Sequence, residues 1–151
     1  MSELKRVLIA EDDPNDAELT LAALAEHQLA NEVILVRDGA EALDYLQRRG
    51  SFAGRPDSNP ALVLLDIKMP KVDGIEVLRQ MKADPKLRAI PVVILTSSRE
   101  EQDLVESYEL GVNAYVVKPV AFQEFVGAVK TLGLFWAVLN QPPPGSLRRA
   151  A

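Results

Sequence analysis

The chain has 151 residues, 48% apolar and 26% charged, with a net charge of -5 and no cysteine. That length suits about one domain, large enough to bury a core without covalent staples. The missing cysteine excludes disulfides and thiolate chemistry, the lone histidine (His27) argues against zinc sites and Ser-His-Asp triads, and the acidic balance argues against nucleic acid as a partner.

No apolar run approaches the ~20 residues that span a membrane. The N-terminus carries Glu3, Lys5 and Arg6 and lacks an apolar signal-peptide core. A soluble cytoplasmic protein is therefore expected. Arg6 to Ala10 reads as a buried strand, stopped by Glu11-Asp12-Asp13-Pro14. Pro14 suits a first helical turn with Asp13 as N-cap, and apolar positions then repeat at helical spacing up to His27. Val33 to Val36 is a short strand broken by Asp38-Gly39, and a helix follows to Arg49-Gly50. Residues 51–60 read as a surface loop.

Ala61-Leu62-Val63-Leu64-Leu65 is the most continuously apolar stretch and runs straight into Asp66. Asp73-Gly74 begins the next helix and Asp84-Pro85 stops it. Ile90 to Leu95 is a fourth strand ending at Thr96-Ser97-Ser98, and residues 99–110 form an acidic helix closed by Gly111. Ala114 to Val117 is a fifth strand ending at Lys118-Pro119. Residues 120–139 form the last helix, and the Pro-rich tail 141–151 is expected to be flexible after a domain spanning 1–140. Five β-α units in strict alternation imply an α/β fold with a doubly wound, five-stranded parallel sheet.

Such sheets place their chemistry at the carboxyl ends of the strands. There the chain delivers Glu11, Asp12 and Asp13, then Asp66, Thr96 and Lys118. Crowded carboxylates recruit a cation, and oxygen-only ligands favour Mg²⁺ over zinc or copper. A hydroxyl and an ammonium beside them could hold phosphoryl oxygens, with Asp66 as nucleophile. Asp13 fits an N-cap better than a direct ligand, His27 a solvated helix end, and Met69 and Met81 packing.

These motifs resemble the receiver domains of two-component response regulators: Glu11-Asp12, Asp66, Met69-Pro70 with Asp73-Gly74, Thr96, and Lys118-Pro119 with Tyr115 three residues earlier. The likeness spans about residues 5–139. It implies the flavodoxin-like strand order 2-1-3-4-5. It implies Asp66 as phosphoacceptor, and a Mg²⁺ site of Glu11, Asp12, Asp66 and the Lys68 carbonyl. Thr96 and Lys118 would contact the phosphoryl group, Thr96 and Tyr115 would form the switch, and the Lys118–Pro119 peptide would be cis. The phosphate donor would be a sensor histidine kinase.

The 51–60 loop, the segments 92–98 and 107–115, and Phe135-Trp136 resemble more narrowly the stand-alone regulators paired with bacterial phytochromes, so a bacteriophytochrome kinase is the expected partner. No output domain follows residue 139, which agrees with a single-domain regulator. Val120 stands where many relatives carry Phe, and Lys68 and Ser98 flank the phosphoryl position, where Lys68 is expected to alter the lifetime of the phosphorylated state. The aromatic stripe Phe122, Phe125, Phe135 and Trp136 outruns the helix length needed to cover the sheet, which makes a homodimer through that helix the expectation. Two rivals are an aspartyl-phosphate phosphatase and a flavodoxin-like nucleotide or flavin carrier. The first would want Asp-x-Asp after strand one, and the second a Gly-rich phosphate loop there.

Overall fold

The computed structural model describes residues 6–26, 32–55, 58–107, 109, 110, 112, 114–118, 120, 121, 123, 124 and 127. Five parallel strands form one sheet: β1 (Arg6–Ala10), β2 (Glu32–Val36), β3 (Leu62–Asp66), β4 (Val92–Thr96) and β5 (Ala114–Val117). Their order is β2-β1-β3-β4-β5, the arrangement the resemblance implied. Between them run α1 (Pro14–Glu26), α2 (Gly39–Gln47), α3 (Gly74–Ala83) and α4 (Arg99–Ser107). Among the described residues no helix is long and apolar enough to cross a membrane.

Both faces of the central strands are buried, as parallel sheets require. Leu8, Ala10, Val63, Leu65, Val92 and Ile94 pack on one face with Ala42, Leu43, Leu46, Val77, Leu78 and Met81 of α2 and α3. The alternate residues, Val7, Ile9, Leu64, Val93 and Leu95, are equally buried on the other face. Ala17 and Leu21 of α1 lie beside Leu35 on that second side. Met69 and Met81 are buried in the core, as expected.

Local chemistry sets the helix starts. Asp13 Oδ1 accepts from the amides of Asn15 at 2.8 Å and Asp16 at 3.2 Å, so Asp13 caps α1. Asp38 accepts from Glu41 N, and Asp73 from Glu76 N, at the starts of α2 and α3. Gly74 has no room for a side chain, because a Cβ there would lie 2.2 Å from the Asp66 carbonyl oxygen. Its amide donates to Ile67 O at 2.7 Å, which seats α3 directly against the end of β3.

Three expectations change. The fourth strand begins at Val92 rather than Ile90, because Pro91 has no N–H for the ladder. The Pro91 carbonyl still accepts from Val63 N at 3.0 Å. The fourth helix ends at Ser107, short of residue 110. The 51–60 segment is more than a surface loop: it opens with a 3-10 turn (Gly50–Phe52), and Pro60 is buried. Arg55 lies over the Tyr45 ring at 4.4 Å while its Nε donates to Tyr45 O at 2.6 Å. His27, the Lys118–Pro119 peptide, the aromatics Phe122, Phe125, Phe135 and Trp136, and the tail 141–151 lie outside the described residues.

Candidate functional site

The carboxyl edge of the sheet is where charge goes under cover. Glu11 follows β1 and is 1% exposed, and Asp66 ends β3 and is 3% exposed. Lys118, the first residue beyond β5, reaches back with Nζ 3.3 Å from Glu11 Oε1 and 3.3 Å from Asp66 Oδ2. A third acid, Asp16, stands 3.1 Å from the same nitrogen. Asp12 is exposed, yet its carboxylate, with those of Glu11 and Asp66, can offer one oxygen each within 4.8 Å of one another. Three carboxylates, those of Glu11, Asp16 and Asp66, therefore face one ammonium, and Asp12 adds a fourth beside two of them.

The electrostatics follow. Burial, then the hydrogen bond to Asp66 and its charge, pushes Glu11 up to about 8. Burial also raises Asp66, against the hydrogen bond with Glu11 and the pull of Lys118. Burial works against the Lys118 charge, but Asp66, Asp16 and Glu11 outweigh it and hold the ammonium above its ordinary value. Two buried acids this close do not both ionise readily and retain a proton between them, which a hard cation with oxygen preference could displace.

One further group is left open. Thr96 Oγ1 is fully buried and has no hydrogen-bond partner among the described residues. A buried hydroxyl without a partner costs roughly 1–3 kcal/mol, so an acceptor arriving here would relieve it. The Thr96 backbone is fixed independently, since its carbonyl accepts from Lys118 N at 2.7 Å. Asp66 Oδ1 accepts from Ile67 N at 2.9 Å, which orients that carboxylate.

The predicted residues divide accordingly. Glu11, Asp12, Asp66 and Lys118 converge, and Thr96 stands one residue beyond the strand position paired with Asp66. Tyr115 lies half-buried on β5, paired with Ile94, while Thr96 pairs with Val117. Burial and the charge of Glu106 raise its phenol. Val120 is buried. Lys68 is exposed but paired, its Nζ 3.4 Å from Glu101 Oε2 on α4, and Ser98 Oγ caps that helix by accepting from Glu101 N at 3.3 Å.

Two residues escaped the sequence reading. Asp16 occupies the third position after the Asp13 cap, a turn position that faces the strand ends. Glu101 stands three residues after Ser98, the spacing of a capping box. Burial would raise the Glu101 carboxyl, but the Ser97 amide and hydroxyl, with Lys68, hold it below the usual range.

The sequence pattern of the response regulator receiver domain matches residues 7–130, and the chain belongs to that family. It is similar to the solved bacteriophytochrome response regulator RtBRR, with 64% identity over 95% of this chain and 87% of that one, and a TM-score of 0.86. It is 39% identical to response regulator Rcp1 of Synechocystis sp., over 87% of this chain and 88% of that protein. A solved Mn(2+)-bound form of Rcp1 matches with 38% identity, covering 93% of this chain and 99% of that one, at a TM-score of 0.72. This membership displaces the phosphatase and flavin-carrier readings. The chain is a response regulator receiver, a phosphorylation-dependent switch rather than a conventional turnover enzyme.

Proposed function

We propose that this receiver takes a phosphoryl group onto Asp66 from a phosphohistidine of a sensor kinase, and that its cation is Mg²⁺. The observation that carries the reading is the Lys118 ammonium at 3.3 Å from both buried carboxylates, Glu11 and Asp66. A carboxylate oxygen of Asp66 attacks phosphorus in line, an O–P bond forms, the P–N bond breaks, and the departing imidazole is left to take a proton from water. Glu11, Asp12 and Asp66, with the Lys68 carbonyl, would hold the cation, which when bound neutralises phosphoryl charge and aligns the donor.

The remaining steps belong to the chain's own residues. Lys118 already neutralises Asp66 and would transfer its contact to a phosphoryl oxygen. Thr96 Oγ1, without a partner among the described residues, would donate to another. That shift draws the β4 end toward Asp66 and lets Tyr115 move behind it, so the surface around residues 97–122 changes state. The likeness to bacteriophytochrome response regulators supports a bacteriophytochrome kinase as the donor. The aromatic spacing of Phe122, Phe125, Phe135 and Trp136 supports a homodimer through the last helix. A mass that stays monomeric at all concentrations would count against that dimer.

The test is incubation with Mg²⁺ and acetyl phosphate, followed by intact mass. One added phosphate, absent in Asp66→Asn, is the expected result. No uptake by the unaltered protein overturns the reading.

A further inference from the structure

Glu101 belongs to the first turn of α4 and is only 7% exposed. Both of its oxygens are engaged. Oε1 accepts from Ser97 N at 2.8 Å, and Oε2 accepts from Ser97 Oγ at 2.8 Å while lying 3.4 Å from Lys68 Nζ. Ser97 directly follows Thr96, and Lys68 stands two residues beyond Asp66. One buried carboxylate thus fastens two loops, those leaving β3 and β4, on either side of the place a phosphoryl group would occupy.

The two attachments differ in kind. Ser97 is held through its backbone and its hydroxyl at ordinary hydrogen-bond distance. Lys68 is held by a charge contact at the end of a long, solvent-exposed arm. An ammonium on a flexible stem can exchange one acid for another at little cost. A phosphoryl group on Asp66 brings about -1.5 to -2 of charge and three strong acceptor oxygens, which makes it a stronger partner than a single carboxylate.

We propose that Glu101 is a positioning residue that holds the Lys68 ammonium away from the phosphoryl position and competes with phosphorylated Asp66 for it. The inference rests on Asp66 being the phosphoacceptor. Phosphorylation then releases the loop after β3 from α4 and leaves Glu101 anchored to Ser97 alone. Because the contest is reciprocal, weakening the grip of Glu101 favours the phosphorylated state as well. In the resting state Glu101 restrains uptake by keeping Lys68 from the incoming anionic donor.

The test is a double-mutant cycle on the full chain, K68A and E101Q singly and together. Uptake from acetyl phosphate with Mg²⁺ is timed by intact mass, and folding is checked by circular dichroism. Glutamine keeps a carbonyl oxygen for Ser97 while removing the charge that holds Lys68. E101Q should speed uptake about two- to fivefold, the scale of a part-exposed ion pair, and should change nothing in the K68A background. Equal acceleration in both backgrounds, or none in either, overturns the coupling and leaves Glu101 a helix cap. No uptake by the unaltered protein instead overturns the reading of Asp66, and the coupling falls with it. Should E101Q not fold, E101A takes its place in the cycle with the same expectation, since the Ser97 contacts it loses are lost equally in both backgrounds.

Discussion

Arg6 opens β1 and Glu11 follows its last residue, so one short strand joins a buried cation to a buried acid. The Arg6 guanidinium donates to Tyr45 Oη at 3.0 Å, to Ser58 O at 3.1 Å and to Ser58 Oγ, while its Nε lies 3.3 Å from Glu32 Oε1 in an ion pair without hydrogen-bond geometry. Its partners are neutral oxygens and one half-exposed carboxylate. At the other end three acids crowd one ammonium, and the Thr96 hydroxyl has no partner among the described residues. Buried charge that meets complementary groups holds a fold together; buried charge left in excess waits for something from outside.

The largest effect expected from this contrast is at the structural end. Arg6→Ala removes the tie among β1, β2, α2 and the segment before β3. It should cost about 3 kcal/mol in urea unfolding, as for losing hydrogen bonds to a buried charged group. The folded fraction should still take up phosphate with normal kinetics. Lost uptake in folded Arg6→Ala protein would mean the two ends are not separable.

The next effect is a pH dependence of opposite sign to the usual carboxylate behaviour. Glu11 ionises near 4.5 when unfolded but only near about 8 when folded. Between those values the folded state binds more protons, so metal-free stability should fall as pH rises from about 5 to 8. Mg²⁺ should flatten the decline by neutralising the acids. Glu101 contributes in the other direction: its lowered value stabilises above about 4.5, and that part is lost in acid. Unfolding at several pH values, with and without Mg²⁺, checks both. Asp66→Asn removes one member of the repelling pair and should stabilise the metal-free protein at pH 8 by about 1 kcal/mol while abolishing uptake. A destabilised Asp66→Asn would show that Lys118 compensates the resting site fully.

Most of the site was legible because it sits where strands end. Asp66, Glu11 and Lys118 each terminate an apolar run, and the α/β alternation alone sends those ends to one edge. The strand order came from family resemblance, since alternation does not say which strands are neighbours. Arg6 was read only as the first residue of a strand, because its partners Tyr45 and Ser58 lie far away in sequence and no local pattern predicts a buried arginine. Asp16 was hidden by Asp13, whose capping role drew attention from the residue it positions. The 51–60 segment looked like a loop because Pro, Gly and Ser dominate it, and nothing local shows Arg55 stacking on Tyr45.

The smallest expected effect separates two lysines of a single loop. Lys71, at φ 68°, pairs with Asp38 at 3.5 Å, and Lys68 pairs with Glu101 at 3.4 Å. Both side chains are exposed, so either change to alanine should shift stability by no more than about 0.5 kcal/mol. Their consequences for the site should nonetheless differ. Asp38 caps α2 and stays capped through Glu41 N when Lys71 is lost, so Lys71→Ala should leave the lifetime of the phosphorylated state unchanged. Lys68 lies two residues from Asp66, within reach of a phosphoryl group, so Lys68→Ala should change that lifetime. Decay of the phosphorylated forms, followed side by side by intact mass, decides it. Equal lifetimes for Lys68→Ala and the unaltered protein would reduce Lys68 to another surface charge, whatever its contact with α4.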